Sequence, residues 1–202
     1  MKNNLDIIKP LLTFDSEDEF YFLQVIQRKK DRKESDLVKY VGSNNHSRLI
    51  KAYYIYSVEQ LERYMPEIIA LCDMFKARAG INLNKRNRKN VALEVLEMTA
   101  RDIRCGNYSC TSKVYNSACG SSKGTDKLWL VDIDIDNIKF VEQIAYDINK
   151  IEPTNKGKKD IAIIPSKSGY HLITKPFNRQ EFSKMYGGIE VHTNNPVNLY
   201  IP

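Results

Sequence analysis

The 202-residue chain carries 42% hydrophobic and 28% charged residues, an ordinary globular balance with room for one core or two closely packed lobes. Lys and Arg number 31 against 25 Asp and Glu, so the net charge is +6, which suits a polyanionic partner. No apolar run reaches the roughly 18 residues of a membrane span, and Met1-Lys2-Asn3-Asn4 lacks the apolar stretch of a secretory signal, so a cytoplasmic protein with no membrane partner is expected.

Phe20 to Lys29 is rich in aromatic and β-branched residues and reads as a strand, with a helix capped by Ser16 and Glu19 as the alternative. Residues 31 to 47 are polar, with a turn signal at Gly42-Ser43-Asn44-Asn45, and Ala52 to Tyr56 is strand-like. From a cap at Ser57, Val58, Leu61, Met65, Ile68, Cys72 and Phe75 recur at steps of three and four, the stripe of a helix with one buried face. Ala77 to Leu83 predicts a short strand, Val91 to Arg104 a second helix, and Gly106 to Thr125 a long polar loop.

After that loop the pattern changes. Trp129 to Ile135 alternates as a strand, and Ile138, Val141, Ala145 and Ile148 then mark a helix ending before Pro153, with Asp136 as its expected cap. Ile161–Pro165 and Tyr170–Thr174 predict two strands joined by the turn Ser166-Lys167-Ser168-Gly169. Asn178 caps a short helix to Tyr186, Ile189 to His192 is a further strand, and Val197 to Ile201 is a last extended piece. The order β-α-β-β-α-β predicts an α+β fold: a ferredoxin-like, RRM-like palm over residues 126–202, packed with an N-terminal α/β lobe over residues 1–125.

Side chains alternate across a strand, so Asp132 and Asp134 share one face while Val131, Ile133 and Ile135 take the other. In a ferredoxin-like unit both helices cover one face; the apolar set should meet them and the acids should look outward. By the same parity His171, Glu190 and His192 belong on the acids' face, and the usual strand order sets His171 and Glu190 on either side of the aspartates. Three carboxylates gathered there make an oxygen-rich site suited to Mg²⁺ or Mn²⁺. His171, with Lys167 and Ser168 in the adjacent turn, supplies hydrogen bonds and charge for a triphosphate, and Gly169 allows close backbone approach. Taken singly these residues are commonplace on surface strands and hairpin turns; their shared face is what points to chemistry. The basic runs Arg28–Lys33, Lys85–Lys89 and Lys156–Lys159 suit a nucleic-acid backbone, or are solvated loops and helix ends. The irregular spacing of Cys105, Cys110 and Cys119, with no His nearby, favours free thiols over a zinc site.

Leu130-Val131-Asp132-Ile133-Asp134 resembles the first, hhhDhD motif of archaeo-eukaryotic primases. Ser168-Gly169-Tyr170-His171-Leu172 is similar to their second motif, and Ile189-Glu190 stands where their third, hydrophobic-acidic motif does, with Glu in place of the commoner Asp. Arg78 to Asn84 and Asn194 to Tyr200 are similar to stretches of small primase-like proteins of bacteriophages. The resemblance implies that Asp132, Asp134 and Glu190 are catalytic and bind metal, and that His171 and Ser168 bind the nucleotide; Lys167 and Arg78 are further candidates for phosphate contact. It implies a DNA primase or primase-polymerase, a nucleotidyltransferase acting with NTP or dNTP on a single-stranded DNA template in phage or plasmid replication. A replicative helicase is a further partner it would allow. Two other functions fit the same residues: a non-catalytic nucleic-acid-binding replication accessory with a primase-like fold, and a metal-dependent nuclease.

Overall fold

The computed structural model describes residues 1–28, 31, 47–122, 124, 127–154 and 157–202. In chain order the first half holds β1 (Lys2–Asn3), α1 (Leu5–Ile8), β2 (Glu19–Arg28), β3 (Ser47–Ile55), α2 (Val58–Phe75) and β4 (Arg78–Ile81). There follow β5 (Arg86–Asn87), α3 (Arg88–Arg104) and α4 (Val114–Ser121). The second half holds β6 (Trp129–Ile133), α5 (Ile138–Lys150), β7 (Asp160–Pro165), β8 (Tyr170–Thr174), α6 (Arg179–Met185), β9 (Glu190–His192) and β10 (Val197–Ile201). The fold is mixed α+β, with one antiparallel sheet ordered β1-β10-β4-β2-β3, β5 attached to β2, and a second ordered β7-β8-β6-β9. The turn expected at Gly42-Ser43-Asn44-Asn45 lies outside the described residues.

Local chemistry sets the helix starts. Ser57 accepts a hydrogen bond from Gln60 N and Asn178 accepts from Gln180 N and Glu181 N, the caps expected of them. Asn87 caps α3 by accepting from Asn90 N, so that helix begins three residues ahead of Val91. At α5 the cap is Asn137 rather than Asp136; its side chain accepts from Lys139 N and Phe140 N. The expected loop from Gly106 to Thr125 instead holds a 3-10 helix (Tyr108–Lys113) and α4. Val114, Ala118 and Cys119 bury one side of α4, the latter two beside Phe20, Phe22 and Val91, a stripe too short and too rich in Gly and Ser to announce itself.

The first sheet is covered on both faces. Leu61, Met65, Ile68 and Cys72 of α2 pack on Leu23, Val25, Ile55, Ala79 and Leu199, while α3 and α4 cover Phe20 and Phe22 from the other side. β10, the extended piece that follows the β-α-β-β-α-β order, pairs with β1 and β4 of this sheet. All five of its residues are buried, and a strand buried on both faces is satisfied in the interior of a doubly covered sheet. In the second sheet Val131, Ile133 and Leu172 meet Val141, Ile144 and Ile148 of α5 and Phe182 of α6. Its opposite face is open only at one end, because Leu130, Ile164 and Ile173 join the core under the first sheet.

Candidate active site

Parity and register decide what β6 gathers. Val131 and Ile133 point into the core beneath α5 and α6, so Asp132 between them points the other way. Its Cα partners are His171 of β8 on one side and Glu190 of β9 on the other. Side chains paired directly across strands stand about 4.5–5.5 Å apart at Cβ. Asp134 follows just past the last residue of β6 and is exposed.

The electrostatics reflect that crowding. Burial raises the Asp132 pKa above its ordinary value, Asp134 and Glu190 add to the rise, and His192 and Arg28 act against it. The positive charge already nearby does not offset burial at this carboxylate, and a hard divalent cation beside it would. Glu190 Oε2 lies 3.1 Å from His192 Nε2, and the Glu190 side chain is 77% exposed. Among the described residues no three His, Cys, Asp or Glu side chains converge into a ligand group, so a cation would have to draw Asp134 and Glu190 toward Asp132.

His171 is buried, and burial, followed by the positive charge of Arg28, pulls its pKa down to about 4. The ring is therefore neutral near pH 7. Its Nε2 lies 3.5 Å from Asp132 Oδ1, a contact of a neutral imidazole with a carboxylate rather than an ion pair. Nδ1 is buried with no hydrogen-bond partner.

The β7–β8 turn brings the remaining predicted groups to the end of β6. A Cβ on Gly169 would stand 2.1 Å from Ile133 O and 2.7 Å from Ile135 N, so only glycine lets the turn lie on the backbone that flanks Asp134. The turn is closed by Ser166 N donating to Gly169 O at 2.8 Å, and Lys2 Nζ and Asn4 Nδ2 hold it by donating to Ser166 O and Pro165 O. Ser168 and Lys167 are exposed at its tip. Lys167 Nζ lies 2.6 Å from Asp31 Oδ1, and Arg78 Nη2, from the start of β4, reaches the same oxygen at 2.7 Å. Burial would raise the Asp31 pKa, but hydrogen bonds from Arg78 and Lys167 outweigh it and hold the carboxyl below its usual value.

Asp132, His171 and Glu190 thus meet in register, Asp134 and the Lys167-Ser168 tip stand at the exit of β6, and Arg78 is turned toward Asp31. The sequence reading missed Arg28 and Asp31 as members of this neighbourhood; its one clue was the basic run beginning at Arg28. A cavity of about 460 Å³ adjoins β9, bordered by Glu190, His192, Ile189, Phe182 and Arg179. Cys119 is buried against Phe20 and Phe22, whereas Cys105 and Cys110 are exposed. Among the described residues no helix is long and apolar enough to cross a membrane. Comparison of the chain with protein families, with curated proteins and with solved structures returns no match.

Proposed function

We propose that this chain is a primase-polymerase of the archaeo-eukaryotic type, catalysing metal-dependent, template-directed nucleotidyl transfer on single-stranded DNA. The observation that carries the reading is Asp132 flanked in register by His171 and Glu190, with Asp134 and the Lys167-Ser168 turn at the same strand end. The second sheet is read as a ferredoxin-like palm: β6 lies between β8 and β9, and α5 and α6 pack on the face away from Asp132. Its motifs stand in the order Asp132-Ile133-Asp134, Ser168 to His171, Glu190.

In this reading Asp132, Asp134 and Glu190 hold Mg²⁺ or Mn²⁺, which when bound neutralises the triphosphate and helps activate the primer hydroxyl. Asp132, its pKa raised by burial, is stabilised in its charged form by a cation beside it. Neutral His171 acts as a hydrogen-bonding group beside the nucleotide rather than as a fixed charge. Ser168 and Lys167 reach phosphate oxygens from the turn, and Arg28 adds positive charge on the same side. The accessory reading is weaker, because an RNA-recognition sheet binds bases on exposed aromatics, whereas this face carries carboxylates and otherwise packs Leu130, Ile164 and Ile173 inward.

The test is incorporation of labelled NTP or dNTP on single-stranded DNA with Mn²⁺ or Mg²⁺, wild type beside Asp132→Ala/Asp134→Ala. Primer synthesis or extension by wild type, lowered at least about a hundredfold in the variant, is expected. DNA binding without turnover would move the assignment to an accessory protein, and shortened DNA without incorporation to a nuclease.

A further inference from the structure

We infer that Arg78 and Lys167 form a phosphate-binding pair for which the Asp31 carboxylate is a built-in competitor, so that a nucleotide's outer phosphates must displace it. This rests on the nucleotide-binding reading above and extends it to how that site is regulated.

Two cations from different sheets converge on one oxygen: Lys167 Nζ at 2.6 Å and Arg78 Nη2 at 2.7 Å from Asp31 Oδ1. Two cationic donors so close together offer a non-bridging phosphate oxygen the same contacts that they give this carboxylate oxygen. The fit to a carboxylate is incomplete, because Asp31 Oδ2 is buried and has no hydrogen-bond partner. Arg78 thus leaves unused the two-pronged grip that a guanidinium can make on a carboxylate or a phosphate. A tetrahedral phosphate leaves its other oxygens free to face solvent or a cation.

Position supports the same conclusion. Lys167 is two residues from Gly169 on the turn laid over the exit of β6, so the turn that carries it stands at the strand end where Asp134 follows Asp132 and a metal-bound triphosphate would extend. Arg28, three residues before Asp31, acts electrostatically on both His171 and Asp132. Removing the Asp31 charge therefore leaves Arg28, Arg78 and Lys167 as a concentrated positive field for a polyanion.

The experiment is calorimetric titration of the full chain with inorganic tripolyphosphate and with ATP plus Mg²⁺ at fixed ionic strength. It uses wild type, Asp31→Asn, Lys167→Ala and the double variant, each checked by thermal melting. Asp31→Asn should tighten tripolyphosphate binding about tenfold, as expected when a competing internal state is removed, and adding Lys167→Ala should abolish the gain. Unchanged or weaker binding by Asp31→Asn overturns the inference and makes Asp31 a residue that orients the cations. Should Asp31→Asn fail to fold, Lys167→Ala decides, because this exposed residue must weaken tripolyphosphate binding in the wild-type background; equal affinity overturns the inference. Nucleotide incorporation by wild type with no gain in Asp31→Asn sinks the competitor alone. Tightened binding in a chain that never incorporates nucleotide sinks the polymerase reading and leaves the phosphate pair standing.

Discussion

Acidification should destabilise this protein through His171. Its pKa falls from 6.5 in the open chain to about 4 in the fold, because the imidazole is buried and the positive charge of Arg28 acts on it. A lowered folded-state value means that the unfolded chain takes up the proton first. Stability is therefore complete above pH 6.5 and is lost as pH falls toward 4. The loss amounts to about 2 kcal/mol by pH 5 and about 3 kcal/mol across the whole window. Asp132 works in the opposite sense, since its raised pKa lets the folded form take up a proton first, so its contribution must be separated. Comparing wild type with His171→Gln cancels whatever the two share. The assay is urea unfolding at pH 7.5 and pH 5, followed by the fluorescence of the single tryptophan, Trp129, which borders the core beneath α5 and α6. Wild type should lose about 2 kcal/mol more than His171→Gln over that interval. Equal losses, or a wild type that gains stability at pH 5, would show that His171 is not held neutral by its surroundings.

Gly169→Ala should cost about 3 kcal/mol, because the new methyl meets the backbone carbonyl of Ile133 at 2.1 Å and neither backbone can yield; an unchanged melting temperature would refute the close approach. Arg86 is fully buried and donates to Cys119 O, Asn84 O and Asn194 Oδ1 at 2.7 to 2.8 Å. Arg86→Met leaves three acceptors unmet and should cost about 3 kcal/mol in denaturant unfolding, and Arg86→Lys should recover little, since one ammonium cannot span the three. A loss below about 1 kcal/mol for Arg86→Met would mean that water or a rearranged loop replaces the guanidinium.

What could be read from the sequence had a short period. The stripe Leu61, Met65, Ile68, Cys72 and the alternation around Asp132 are set by neighbours within a turn or a strand, and both lie in the structure as their spacing suggests. Helix starts were legible where one capping residue stood alone, as at Ser57, and misassigned where Asp136 and Asn137 competed side by side. Contacts between remote parts of the chain left no such trace. Arg78 and Lys167 meet at Asp31 because the ends of β2 and β4 abut the β7–β8 turn, which no local pattern encodes. The places of α4 and β10 likewise depend on surfaces offered by Phe20, Phe22 and β4 from remote parts of the chain.

The interior position of β10 also constrains how the molecule can assemble. Lys2 pairs with Ile201 and Asn3 with Tyr200, so β1 has no neighbouring strand until β10 is in place. Until residues 197–201 leave the ribosome, β4 keeps one edge without a partner, and that edge is an adhesive surface for other nascent chains. Pairing within the first sheet is thereby completed only after the segment that bears Glu190 has been made, since β10 follows it in the chain.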